Sequence, residues 1–325
     1  MRKHLLAIAL IITGAPGCDN VGWGGADFAI RPPPEPEVEA ATEADAEETL
    51  EAERVTGPVL LAGVRQDERA EMIVVGEVVG DALRAFPDPE YPEDQDRLAS
   101  LSAPGSEWIL FSEGVRIGRL VVDASGPAEG FCGDRLALSG VVEVVPGAAG
   151  AERLLALPPE EGERRAREEY VELQHVYDQR VATLSIAGEA IPRYGATWPE
   201  LGVLDARDHI QAFRLRDRGA PSVAATFMAA DELAVGAPGQ DAYSLFVIGQ
   251  QTGGQYVEAY SWYQDAGVSG KAAARYFDHL DLNGDGTEEI VLDVFGANAR
   301  WFAGLSRRDG QWVRTYNDRC GTPAG

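Results

Sequence analysis

The chain has 325 residues, 45% of them hydrophobic, and sets 53 Asp and Glu against 28 Lys and Arg, for a formal charge of −25. That length can hold two domains with real hydrophobic cores. Residues 1 to 53 hold three basic and eleven acidic groups, −8 of the total, so the remaining −17 excludes nucleic acid and disfavours anionic lipid as partners.

Arg2, Lys3 and His4 precede an apolar run over residues 5–12, and Gly14-Ala15-Pro16-Gly17-Cys18 follows. So short a run suits the core of a secretory signal and is too short to span a bilayer. The ending resembles the bacterial lipobox, with Ala15 standing where Leu is usual. The resemblance implies a signal peptide over 1–17, lipidation at Cys18 and an extracytoplasmic place in the bacterial cell envelope. Membrane contact would then run through the lipid anchor only; ordinary secretion with cleavage nearby is the alternative. Residues 18–54, with Pro32-Pro33-Pro34-Glu35-Pro36 and an Ala/Glu run, read as a disordered tether.

Residues 55–158 show short Val, Leu and Ile runs at 55–64, 71–79, 107–111, 115–123, 136–145 and 152–157, broken by Gly, Pro and acidic turns. The spacing predicts an antiparallel sandwich or small barrel. Its clearest unit is a hairpin around Ser112-Glu113-Gly114-Val115, where Gly114 can take the positive φ of a tight turn.

Pro158 and Pro159 open a segment predicted as one helix over 159–188. Glu160/Arg164, Glu161/Arg165 and Glu163/Arg167 are i, i+4 pairs in the favourable orientation, each contributing about 0.3 kcal/mol. Ala166, Tyr170, Leu173, Tyr177, Val181 and Leu184 form one apolar stripe at helical spacing, and Gly188 and Pro192 supply the stop.

A second β domain is predicted over 205–317. It carries signs of duplication: Phe213 with a following strand and Gly253-Gly254-Gln255 echoes Phe277 with its strand and Asp309-Gly310-Gln311. Two such units cannot close a propeller ring, so an open sheet arrangement with covered edges is expected.

Between the strands of the second unit stands Asp281-Leu282-Asn283-Gly284-Asp285-Gly286-Thr287-Glu288-Glu289. Hard divalent cations take six to eight oxygens, and carboxylates or amides at alternate positions of a tight turn supply them. Asp281, Asn283, Asp285 and Glu289 would give side-chain oxygens and Thr287 a carbonyl, with Gly286 at the sharp bend. Leu292 occupies the position where an EF-hand needs Glu, and Ile290, Leu292 and Val294 continue at strand period. This combination resembles the calcium loops of FG-GAP and VCBS repeats, over residues 276–316. The resemblance implies calcium as the ion, held by Asp281, Asn283, Asp285, Thr287 and Glu289.

Export would place Cys132 and Cys320 in an oxidising compartment, where they could bridge or remain as two buried thiols. Tyr256, Tyr260 and Trp262 share strand parity with Glu258, either as a carbohydrate platform or as β-core. Asp208-His209 and Asp278-His279 have acid-base residue types, but strand neighbours point to opposite faces, which favours ordinary surface residues.

The expectation is a mainly β protein with two antiparallel β domains, the first sandwich- or barrel-like and the second an open repeat-like sheet, joined by one long helix. It would act as an envelope-anchored, non-catalytic, calcium-stabilised binding or scaffolding protein with a protein or polysaccharide partner. The alternative is an extracytoplasmic hydrolase or carbohydrate-binding accessory protein. A deep pocket with convergent polar groups would mark the enzyme and a broad flat patch the scaffold.

Overall fold

The structure, a computed structural model, describes residues 55–318 apart from 134, 166, 167, 217 and 218. The predicted signal peptide, Cys18, the tether and Cys320 lie outside the described residues. Strands make up 48% of the structure and helices 16%, so sheets carry the core.

The first region contains β1 (Val59–Gln66), β2 (Arg69–Val79), β3 (Ala82–Arg84), β4 (Glu107–Ser112), β5 (Val115–Pro127), β6 (Leu136–Val144) and β7 (Arg153–Leu157). They pair antiparallel in the order β1-β7-β4-β5-β6-β2-β3, and β1 also pairs with β2, which closes a six-stranded barrel with β3 appended outside. Alternation fills it: Val59, Leu61, Met72, Val74, Trp108, Leu110, Ile117 and Leu120 point into one core. Leu60, Ala62, Ile73, Val75, Phe111 and Leu155 take the other face of the same strands and are equally buried. Burial on both faces explains why β1 reads as an unbroken apolar run. A short helix, α1 (Glu93–Leu101), adds Leu98 and Leu101 to the barrel core, and Trp108 Nε1 donates to Leu101 O at 3.2 Å.

The second region is two four-stranded antiparallel meanders. One runs β8 (Arg207–Phe213), β9 (Ser222–Ala229), β10 (Tyr243–Thr252) and β11 (Gln255–Asp265); the other runs β12 (Ala272–Leu280), β13 (Glu289–Gly296), β14 (Arg300–Arg308) and β15 (Gln311–Asn317). Each ends in a hairpin whose two turn residues have positive φ, Gly253-Gly254 at 61° and 85° and Asp309-Gly310 at 52° and 78°, the type I′ geometry that matches strand twist. Phe277, Leu280, Val291 and Phe302 of the β12–β15 sheet pack on the outer face of the barrel. On its opposite face Tyr276, Ile290, Leu292 and Trp301 meet Phe213, Phe246, Ile248 and Trp262 of the β8–β11 sheet. Barrel, sheet and sheet thus stack in layers.

One long helix joins the regions, as expected, but its bounds differ from 159–188. Pro159–Gly162 forms a single turn, α2, and the long helix, α3, spans Tyr177–Arg193. Residues 168–176 have no regular structure, and Ala166 lies outside the described residues. The anticipated stripe is therefore broken: Tyr170 packs on the barrel core, whereas Tyr177 and Val181 are exposed. The buried face of α3 is instead Thr183, Ile186, Ala187, Ala190 and Ile191. It covers the outer face of the β8–β11 sheet, over Ala225, Phe227, Leu245 and Val247. Gly188 does not stop the helix, which runs on through Pro192 to Arg193. What ends α2 is a long-range demand on Arg165, whose Nε and Nη2 donate to the carbonyls of Asp281 and Leu282 at 2.7 and 2.6 Å. Two buried charge-assisted bonds outweigh i, i+4 pairs of a few tenths of a kcal/mol.

Candidate functional site

The loop over residues 281–289 connects β12 to β13 and bonds largely to itself. Asp281 Oδ1 and Oδ2 accept from the N–H groups of Gly284 and Gly286 at 2.6 and 3.0 Å. Asn283 Oδ1 accepts from Asp285 N, Asp285 Oδ1 from Thr287 N and Glu289 Oε2 from Leu282 N, at 2.9, 2.7 and 2.9 Å. Gly284 and Gly286, at φ 81° and 89°, supply the bends. Burial first, then the charges of Asp285 and Asp281, push the Glu289 carboxyl up to about 8.

The donor chemistry fits a hard cation: three carboxylates, an amide oxygen and the Thr287 carbonyl within nine residues, with each accepting oxygen keeping a further lone pair. No group of three or more His, Cys, Asp or Glu side chains among the described residues is arranged to hold a metal ion. In the loop the remaining donors are Asn283 and a backbone carbonyl, and the carboxylates are turned to their own backbone.

The loop is also where four separate segments meet. Arg165 reaches it from the connection after α2, and its guanidinium lies 2.7 Å from where a Cβ on Gly284 would stand. Glu288 Oε2 accepts from Arg216 N at 2.7 Å, beyond the end of β8. The β4–β5 turn, Glu113-Gly114, inserts from the barrel: Glu113 N donates to Asp278 Oδ1 at 3.0 Å, and Arg216 Nη2 donates to Gly114 O at 2.8 Å. A Cβ on Gly114 would sit 2.4 Å from Glu288 Oε1 and 2.9 Å from His279 Nε2, so close approach as well as φ requires glycine there.

Asp278 and His279 occupy opposite faces of β12, as strand geometry requires, yet both are buried and neither is a surface residue. Their strand lies between the barrel and the other sheet, so each face meets a core. His279 Nε2 is 3.0 Å from Arg214 O, which can only accept, so Nε2 carries the proton and Nδ1 accepts from Tyr276 Oη at 2.6 Å. Burial lowers the His279 pKa to about 4, leaving the ring neutral.

Glu113 and Asp278 form a neighbouring carboxyl pair. Asp278 Oδ1 accepts from Glu113 N and from His279 N at 3.0 and 2.8 Å, whereas the buried oxygens Asp278 Oδ2 and Glu113 Oε2 have no hydrogen-bond partner. Burial pushes Glu113 up to about 7, with Glu172 and Glu288 adding to the effect and Arg153 opposing it. Burial, and then the Glu113 charge, holds Asp278 well above the usual carboxylate range. The pair borders a cavity of about 230 Å³ shared by Arg153, Tyr170, Gln211 and Phe277. On its other side Glu113 borders a second cavity of about 300 Å³ with Leu173, Arg214, Arg216 and Glu288. Sequence reasoning missed Glu113. The available signal was a glutamate immediately before a turn glycine, at φ 50°, where Asn, Asp or Gly is the usual choice.

The remaining candidates fall elsewhere. Tyr256, Tyr260 and Trp262 do not share a face, because the β10–β11 register shifts between Ile248 and Gly249 and opposes Ile248 to Tyr260 but Gly249 to Glu258. Tyr256 Oη takes Gln179 Nε2 of α3 at 2.9 Å, while Tyr260 and Trp262 pack between the two sheets. The glycan platform is thereby replaced by core. Cys132 is disulfide-bonded, and it lies beside the bridge between Phe131 and Arg300. His209 in β8 is half-buried, its pKa lowered to about 3 by burial and then by Arg153, Arg275 and His175.

Fold and site together define a layered β protein with a barrel, two blade-like sheets and an acidic junction where they meet. No family model, curated protein or solved structure matches the chain.

Proposed function

We propose that the chain is a lipid-anchored binding protein of the bacterial cell envelope, whose folded part is braced by one calcium ion in the 281–289 loop. One observation carries this reading: the loop holds Arg165 and Arg216, and Arg216 in turn holds the Glu113-Gly114 turn of the barrel. An ion held by Asp281, Asn283, Asp285, Thr287 and Glu289 would therefore fix barrel, connection and both sheets at once. The role is bracing, since the loop runs directly into β13 and has no helices to open.

The test is a thermal melt in about 10 mM calcium against chelator. With a dissociation constant in the extracellular range of about 0.1 to 1 mM, the ion contributes about 1.4 to 2.7 kcal/mol. That raises the melting temperature by several degrees. Asp285→Ala should abolish the difference, and equal melts with and without calcium in the native protein would refute the bracing role.

The hydrolase reading retains one specific observation, the buried carboxyl pair beside a cavity. Two carboxyls with separated proton affinities are what acid-base hydrolysis uses. Release of chromophore from a panel of nitrophenyl glycosides, lost in Glu113→Gln, would displace the binding reading.

A further inference from the structure

We propose that the cavity floored by Glu113 and Asp278 binds a small organic cation, a molecule that presents a primary ammonium or guanidinium head. The site is separate from the calcium loop and stands whether or not that loop takes an ion.

Charge distribution comes first. Four carboxylates border this cavity, Glu113 and Asp278 deep and the exposed Glu152 and Glu172 at the rim, against one cation, Arg153. Arg153 offsets the floor charge only through space, since its Nη2 donates to Gln211 Oε1 at 3.0 Å.

The unpartnered oxygens are the second, independent observation. Asp278 is 2% exposed, and its Oδ1 is already occupied by two backbone N–H groups. Its Oδ2, and Oε2 of Glu113, are buried without a partner. A buried acceptor left empty is costly. A head group with three or five N–H donors and a positive charge can donate to such an oxygen and offset the negative charge of the bordering carboxylates. Phe277 and Tyr170 supply aromatic wall for the rest of the molecule.

A bare metal ion fits less well. Among the described residues no three such ligands converge to hold one, and a cavity of about 230 Å³ is several times the roughly 30 Å³ of one water.

Binding a cation should expel the proton that the pair retains. Glu113 is pushed up to about 7, and the charges acting on it are Arg153, Glu172 and Glu288, with Asp278 beside it. Tyr170 also faces the pair and Tyr276 lies near it across β12, and burial keeps both phenols protonated. Affinity should therefore rise with pH, about ten-fold between pH 6 and pH 8 for one group titrating near 7.

Isothermal titration of the full-length protein with agmatine, and separately with putrescine, tests this. The expected result is saturable binding about ten-fold tighter at pH 8 than at pH 6. Glu113→Gln and Asp278→Asn should each weaken it ten-fold or more. Glu143→Gln, an equal charge change on the exposed face of the barrel, should leave it unchanged. No saturable heat with either amine at millimolar concentration overturns the proposal, as does equal affinity in both floor variants. Magnesium or calcium alone producing the same pH-linked, floor-dependent binding would make it a metal site and overturn it as well. Should both floor variants fail to fold by circular dichroism, a flat or inverted pH dependence of the native protein decides against it.

Discussion

In the β8–β11 sheet the turn between the first two strands spans residues 214–221, and in the β12–β15 sheet the matching turn spans residues 281–288. The two sheets share strand order, turn placement and closing hairpin, yet the turns carry opposite chemistry. The first offers Arg214 and Arg216; the second offers Asp281, Asp285 and Glu288. They also meet, Arg216 with Glu288 and the Arg214 carbonyl with His279. Like topology with unlike turns lets one sheet dock onto the other through its loops as well as its faces.

The largest test of that comparison is Phe213→Ala. Phe213 is fully buried in the β8–β11 sheet, and its ring stacks on Tyr276 of the other sheet at 4.6 Å between centroids. Removing a buried aromatic costs about 3 to 5 kcal/mol. Because the two sheets share this core, denaturant unfolding should remain one transition, shifted as a whole. A second transition, or a loss below about 1 kcal/mol, would show the sheets to be independent units.

Arg165→Ala comes next. It deletes two buried bonds to the carbonyls of the acidic turn, for a loss of about 3 kcal/mol read from urea unfolding. The described residues of the corresponding 214–221 turn make no such bond to Arg165, so the effect measures how much the acidic turn depends on outside support. A loss equal to that of an exposed arginine would mean that the turn holds itself.

The carboxyl pair gives a pH effect of similar or smaller size. The Glu113 pKa rises from 4.5 to about 7 on folding, so its contribution is fully present below about pH 4.5 and is lost as pH rises through 7. Asp278 shifts in the same direction. The Glu113→Gln protein should therefore melt higher than the native protein at pH 8, by up to about 3 kcal/mol, and the gap should close towards pH 5. An equal or lower melt for the variant at pH 8 would remove the buried-acid explanation. A gain there would also show stability given up for a site.

Sequence pattern revealed the strands well, because alternation and turn glycines are local: the Glu113-Gly114 and Asp309-Gly310 hairpins stand where the residues place them. It revealed the acidic turn for the same reason. What it could not show depends on partners distant in the chain. The bulge in β11 moves Tyr260 and Trp262 to the face opposite Tyr256 through a one-residue slip with no residue signature. Asp278 looked like a strand surface residue because nothing in its neighbourhood says that a barrel covers one face and a second sheet the other. Glu113 and Asp278 are 165 positions apart, and only the docked hairpin brings them together.

The smallest prediction concerns the start of the predicted helix, where the fold has only a single turn. Among the described residues of this segment, Glu161 pairs with Arg164, three residues apart, at 3.1 Å, with Arg164 exposed and Glu161 partly so. An exposed pair of this kind is screened by water and contributes a few tenths of a kcal/mol at most. Arg164→Ala should thus leave the urea midpoint within error of the native protein, even though its neighbour Arg165→Ala does not. Two adjacent arginines with the same local sequence signal would then differ roughly ten-fold in effect. The difference would lie wholly in the acidic turn that one of them reaches, and a substantial loss for Arg164→Ala would restore local helix pairing as the organising force of this connection.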